Sequence, residues 1–404
     1  MHENRVLPVI RFPEFKGSWE FKKLRDLAKI ERGRFSPRPR NDPKFYGGDI
    51  PFVQTNDVTN SSGSISNYTQ TLNSDGLKVS KFFPAGTILI TIAANIGYSG
   101  VLRIGMACPD SLIGISCYDK TYNEYLCAYL NNQQPKMSYL APQAAQKNIN
   151  IEFLNPYPIN IPTYKEQQKI ANFLSSVDKK IQQFTEKQSL LQQYKKGIMQ
   201  KLFSQEIRFK DEQGNDFPDW EEKSLAEVLT PKIREVNKPS EKYLAIGIRS
   251  HMKGTFQKPG FDPDDIAMEK LFVLKENDLV VNITFAWEGA IAIVKPEDDG
   301  GLVSHRFPTY TFKKDQATHE FFRHIIMQKR FKYMLDVISP GGAGRNRVLS
   351  KKEFLKLKWT LPSVAEQNKI ALFLGELDKK IDFTRQQIEQ TKTFKKGLLQ
   401  QMFV

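Results

Sequence analysis

The sequence predicts an α+β protein made by tandem duplication: two mixed α/β blocks, each followed by a long helix. Three observations predict it. Residues 162–203 align without a gap on residues 362–403, an offset of 200, with seventeen identities in forty-two positions; a period of that kind marks a duplicated chain. Both aligned segments space their apolar residues in the four-three alternation of a coiled coil. The roughly 150 residues before each segment have a different texture, rich in short β-prone runs, Gly, Pro and Asn.

Composition sets the outer limits. A chain of 404 residues with 40% hydrophobic and 26% charged residues can form several ordered domains. The formal charge of +14 favours a polyanionic partner, either nucleic acid or an anionic membrane. No run of eighteen apolar residues occurs, and the opening Met1, His2, Glu3, Asn4, Arg5 lacks the order of a signal peptide. A cytoplasmic protein with no membrane span is therefore expected. Cys108, Cys117 and Cys127 are odd in number and too widely spaced for a C-x-x-C pair, which predicts small buried side chains and neither disulfides nor a thiolate zinc site.

In chain order, the expected divisions are residues 1–158, 159–206, 207–358 and 359–404. The two blocks match weakly but in sequence. Trp19 to Leu24 (WEFKKL) parallels Trp220 to Leu225 (WEEKSL), and Ala85 to Ile92 (AGTILITI) parallels Glu276 to Ile283 (ENDLVVNI). Ala145 to Ile149 (AQKNI) then parallels Gly344 to Val348 (GRNRV). Each helix opens after a proline with a capping-box pattern, Thr163 with Glu166 and Ser363 with Glu366. There a hydroxyl and a carboxylate would satisfy orphan backbone donors. The first seam runs through Ile170, Leu174, Val177, Ile181, Phe184, Gln188, Leu191, Lys195, Ile198 and Leu202. The second runs through Ile370, Leu374, Leu377, Ile381, Thr384, Ile388, Thr391, Lys395, Leu398 and Met402. Polar residues on such a seam fix register at some cost in stability.

Several fragments imitate catalytic motifs without their geometry. His319 and His324 stand five apart, about 140° around a helix, and would not share a metal as the two histidines of H-E-x-x-H do. Asn155-Pro156-Tyr157-Pro158 reads as a proline-bounded strand, since no glycine-rich cofactor loop precedes it. Asp219 lies too close to Glu221-Glu222-Lys223 for a nuclease metal site. No catalytic residue and no metal site is predicted.

A β-rich block, then a proline, an E-Q-x-K-I-A-x-F-L helix start and a long Gln/Lys-rich helix, all repeated once, resembles the specificity subunits of Type I restriction-modification systems. The segments that carry the resemblance are PTYKEQQKIANFLSSVDKKI and PSVAEQNKIALFLGELDKKI. The resemblance implies that each block is a target recognition domain reading one half of a split double-stranded DNA site. It also implies that the helices pack as an antiparallel coiled coil between the domains. Such a chain is not itself an enzyme. It would hold two methyltransferase subunits and recruit restriction subunits, with S-adenosylmethionine, ATP and magnesium on those partners of an adenine-methylating complex. A forty-residue helix is roughly 60 Å long. Half-sites about one turn, or roughly 10 base pairs, apart would leave about 6 unread pairs between them. Divergent blocks on matched helices imply an asymmetric site with equivalent docking places for two partners.

Candidate DNA contacts combine base-edge amides with phosphate-binding cations. In the first block they are Arg34, Arg38, Arg40, Gln54, Asn56, Asn95, Gln143, Gln146, Lys147 and Asn148. In the second they are Arg249, His251, Lys253, Asn282, Trp287, His305, Arg306, Gly344, Arg345, Asn346 and Arg347. Solvated loop chemistry is the competing reading of each. Two other functional classes fit less of the sequence: a coiled-coil scaffold leaves the repeated helix motif unexplained, and a self-sufficient methyltransferase needs a cofactor domain that neither half contains. A methylation-only relative or a related Type II subunit differs by its neighbouring genes.

Overall fold

The computed structural model describes residues 7–37, 39–142, 147–342 and 347–403. It divides into two compact units: residues 1–187 together with 384–404, and the single continuous stretch 188–383. Each long helix, Tyr164–Phe203 and Val364–Met402, is thus shared between the units. The second half of each helix packs with the block that it does not follow.

In unit 1 a two-stranded pair, Glu20–Lys23 with Pro158–Ile161, ties the start of the block to its end. A five-stranded sheet has the order Ala28–Arg32, Leu112–Cys117, Ile88–Thr91, Ser99–Leu102, Ser64–Ile65, and a four-stranded sheet the order Gln70–Leu72, Tyr46–Phe52, Met106–Cys108, Lys81–Phe83. The strand Ile88–Thr91 is buried on both faces, which explains why it reads as a continuous apolar run. Unit 2 repeats the plan. Glu221–Ser224 pairs with Lys358–Leu361, beside sheets of four and five strands in which Leu279–Val281 takes the place of Ile88–Thr91. Burial pushes the Cys117 and Cys127 thiols up to about 12, in keeping with small packing side chains.

The seam shows how the helices run. In unit 1, Ile170, Leu174 and Val177 share one core with Leu398, Met402 and Phe403, with Ile181 packed against it. In unit 2, Leu202 joins Ile370, Leu374 and Leu377, with Ile198 alongside. The first turns of each helix therefore meet the last turns of the other, an antiparallel pairing in both units. Phe184, Leu191 and Ile381 are half-buried, and Ile388 is buried. The seam lysines have partners: Lys195 donates to Asp378 and Lys395 to Asp178, each at 2.5 Å. Each lysine stem stays in the apolar seam while its ammonium reaches a carboxylate at the edge.

The repeated Glu-Gln pair does something other than cap a helix. Glu166 accepts two bonds from Arg11, both 2.7 Å, and one from Trp19 Nε1 at 3.3 Å. Glu366 likewise accepts from Arg208 at 3.2 and 2.8 Å and from Trp220 Nε1 at 3.2 Å. The capping-box expectation for these carboxylates is corrected accordingly: a buried charge goes to the strongest donor within reach, and a guanidinium fork exceeds a backbone amide. Beside them, Gln167 accepts from Tyr122 N and donates to Lys120 and Pro162 carbonyls. Gln367 accepts from Thr318 N and donates to the carbonyls of Gln316 and Pro362. Each Glu-Gln pair so fastens the long helix to the strap before the block and to the loop leading into the helix Asn123–Asn132 or His319–Ile326.

His324 lies buried on the latter helix, its Nδ1 without a hydrogen-bond partner among the described residues, and its pKa is lowered to about 3 by burial, then by Lys195 and Arg323. The folded state holds it neutral, whereas the unfolded chain takes up a proton below about pH 6.5. Stability is therefore full above that pH and declines as pH falls toward 3, at up to about 1.4 kcal/mol per pH unit. Replacing His324 by leucine is expected to flatten this decline, read as melting temperature against pH. An unchanged slope would show that the histidine is already protonated in the fold.

Candidate nucleic-acid interface

In unit 1 four chain segments meet. The segment after Tyr46–Phe52 carries Gln54 and Asn56, that after Ile88–Thr91 carries Asn95, that after Met106–Cys108 carries Asp110 and Ser111, and that before the helix Ile151–Leu154 carries Lys147 and Asn148. Thr55 Oγ1 and Ser111 Oγ, 3.3 Å apart, join the first to the third. Ile92 N donates to Ser111 O, and Ile149 N to Ile92 O at 3.0 Å, with a bridge between Ala93 and Asn148. Arg40 is drawn in by Asp110 at 2.7 Å. Asn56, Asn95 and Asn148 are exposed and Lys147 is half-buried. Gln54 Nε2 is buried with no hydrogen-bond partner among the described residues. An unpaired amide of this kind costs free energy until a partner arrives.

Unit 2 brings the corresponding four segments together. His251 N donates to Glu288 O at 2.8 Å and Met252 N to Gly289 O at 2.9 Å. Ser250 Oγ donates to Glu288 at 2.5 Å. Ile283 N donates to Arg306 O at 3.0 Å, Arg306 donates to Thr284 Oγ1 at 3.2 Å, and Leu349 N donates to Ile283 O at 2.8 Å. His251 and Met252 both hold left-handed backbone, φ 62° and 54°, a conformation that these neighbouring bonds sustain. Glycine suits position 289 because its backbone sits at φ +84°, where an L side chain would be strained. Arg249, His251, Lys253, His305 and Arg306 are exposed.

Several predicted residues are occupied internally. Arg34 donates to the carbonyls of Lys78 and Ser80. Arg347 donates to the carbonyls of Ser339 and Asp336, pairs with the Asp336 carboxylate at 2.6 Å, and lies over the Trp287 ring at 5.0 Å. Arg249 donates to Thr255 O and lies over Phe256. Asn282 is buried and caps its own turn by accepting from Thr284 N at 3.1 Å. These four shape loops. Arg38, Gln143, Gln146, Gly344, Arg345 and Asn346 lie outside the described residues. Sequence reasoning missed Thr55, Ser111, Thr284 and Glu288. Their only signal is position: Thr55, Thr284 and Glu288 each lie within two residues of a candidate, whereas Ser111 lies in a segment that carries none.

The two constellations differ in charge. The first offers amides with Lys147 and an Arg40 paired to Asp110; the second offers arginines, histidines and a lysine. Among the described residues, no group of three His, Cys, Asp or Glu is placed to hold a metal, and no helix is long and apolar enough to cross a membrane.

The sequence profile of the family described as Type I restriction modification DNA specificity domain matches residues 16–192 and 218–393. The chain is 25% identical over 408 residues to the Type I restriction enzyme MjaVIII specificity subunit of Methanocaldococcus jannaschii, covering 96% of this chain and 92% of that one. Its fold is similar to the crystal structure of the S subunit of a Type-I restriction-modification system from M. genitalium, with a TM-score of 0.61, 18% identity and 99% of each chain covered. It is also similar to a chain from a structure of complex assembly and conformational transition of the type I R-M system, with a TM-score of 0.57, 12% identity and coverage of 96% and 97%. With the family profile spanning both halves of a duplicated fold, the chain belongs to the Type I restriction-modification specificity subunits, the non-catalytic, DNA sequence-reading members of those enzymes.

Proposed function

We propose that each four-segment constellation reads one half of a split, asymmetric DNA site, and that the paired helices set the spacing and dock two methyltransferase subunits. One observation carries this reading: the duplication repeats the same four segments in both units, yet supplies them with different side chains. Amides such as Asn56, Asn95 and Asn148 suit adenine edges, while Arg306 suits guanine or phosphate. Restriction subunits complete the assembly. S-adenosylmethionine, ATP and magnesium act on the partner subunits, and adenine is the methylated base. A cytoplasmic location follows from that role.

The test is block exchange. Replacing residues 207–358 with the matching block of another specificity subunit is expected to change one half of the methylated sequence and leave the other half intact, read by methylation-sensitive sequencing of host DNA. The donor must bring its own arginine and tryptophan to Glu366, since Arg208 and Trp220 are exchanged too. A simultaneous change in both halves would refute independent reading.

A further inference from the structure

Unit 2 contains a recess of about 450 Å³ that opens beside its four-segment constellation. We propose that it is a nucleotide pocket, filled by one extrahelical nucleotide of the bound duplex. The inference rests on the reading that these segments face DNA, and goes beyond it by assigning a site for a base that has left the stack.

The recess is built for a flat ring. Phe256, Phe261, Phe285 and Phe307 line it and are each half-buried. Gly247 leaves room for the Phe256 ring beside the strand Tyr243–Ile248, since a Cβ there would meet that ring at 2.3 Å. Aromatic faces of this kind stack bases of any sequence. At the constellation side the lining turns polar, with Asn282, Glu288 and Ser304, a set of donors and acceptors suited to a base edge. Lys258 also lines the recess; its ammonium stands 5.5 Å from the Phe256 ring centroid and 5.8 Å from that of Phe261, and the residue is exposed. It is placed to meet a phosphate outside a base held between the rings. The volume lies within the range of small-ligand sites, about 300–1,000 Å³.

Unit 1 shows how the same place looks when it is filled. Phe52 stands opposite Ala107 of the neighbouring parallel strand and is buried with Phe35, whose ring centroid is 5.1 Å away. In the corresponding strand pair of unit 2, Ala245 stands opposite Leu302, and both residues line the recess. An alanine where the duplicate has a phenylalanine leaves the space open.

The test uses the full chain assembled with its methyltransferase subunits. Duplexes carry 2-aminopurine at successive positions of the half-site read by unit 2, omitting the adenine that is methylated. One position is expected to brighten several-fold on binding, as an unstacked base does. Ala245→Phe is expected to return it to the stacked level, and Lys258→Met to reduce the brightening. A melting temperature of Ala245→Phe at or above the parent's shows that it folds, and Lys258→Met changes only an exposed side chain. Absence of brightening at every position overturns the extrahelical source, and brightening that survives Ala245→Phe overturns the site. Titration with a free deoxynucleoside monophosphate separates the sources. Saturable binding that Ala245→Phe abolishes, without duplex brightening, assigns the pocket to free nucleotide, and no binding in either arm overturns the proposal. Failure of the DNA reading itself is distinct: block exchange would then leave the methylated sequence unchanged.

Discussion

Replacing Arg11 by methionine is expected to destabilise unit 1 by about 3–5 kcal/mol, the cost of leaving a buried charge without its partner. The Glu166 side chain is 1% exposed, while that of Arg11 is 15% exposed. Removing the arginine leaves the carboxylate, among the described residues, with Trp19 Nε1 alone as side-chain donor, at 3.3 Å. Removing the carboxylate instead frees a guanidinium that can turn toward water. Glu166→Gln should therefore cost less, about 1–3 kcal/mol, and the double variant Arg11→Met with Glu166→Gln should recover much of the loss. Urea denaturation gives the magnitudes. Hydrogen exchange locates the loss, which should fall in the strap before Glu20 and the first turns of the helix Tyr164–Phe203. A single Arg11→Met cost below about 1 kcal/mol would mean that water already reaches Glu166.

That strap was visible in the sequence but easily missed. Arg11-Phe12 before Trp19 returns as Arg208-Phe209 before Trp220, and Phe12 packs on Phe173 as Phe209 does on Phe373, with centroids 5.8 and 5.7 Å apart. The gap from Phe to Trp differs between the copies by four residues, so an ungapped comparison loses the match. The long helices were legible because a seam of ten positions leaves little freedom in period or face. The sheets were legible only in part. Strands of two to seven residues carry too few alternations to fix their neighbours, and parallel partners such as Phe52 with Ala107 are distant in sequence. The division into units could not be read at all from local pattern, since it depends on which half of each helix packs with which block.

Position in the duplication indicates which turns come together, whereas residue type does not. The segments that meet in unit 1 are those whose counterparts meet in unit 2, so the parallel runs ending at Ile92 and Ile283 located the turns correctly. Residue type does not reveal where an arginine has an internal carbonyl to bind. Arg34 and Arg347 look like free cations in sequence, but each has backbone acceptors within 3.3 Å. A guanidinium with five donors finds such acceptors readily beside a loop.

The helix pair makes the strongest claim about distance along DNA, and a heptad insertion tests it. Seventeen residues separate Asp178 from Lys195, and seventeen separate Asp378 from Lys395. The pairs Lys195 with Asp378 and Lys395 with Asp178 can both close only if these two stretches stay equal. One heptad inserted after Phe184 alone keeps its own apolar face but lengthens one stretch by about 10 Å. One Lys–Asp pair and the seam around it must then open, and stability should fall. A matched heptad after Thr384 restores equality, so the double insertion should recover the melting temperature. It should also widen the unread gap between half-sites by about 3 base pairs, at about 3.4 Å per pair, with both half-site sequences unchanged. Methylome mapping reads the gap directly. A stable double variant that methylates at the parental spacing would show that the helices do not measure the DNA, and altered half-site bases would show that they do more than measure it.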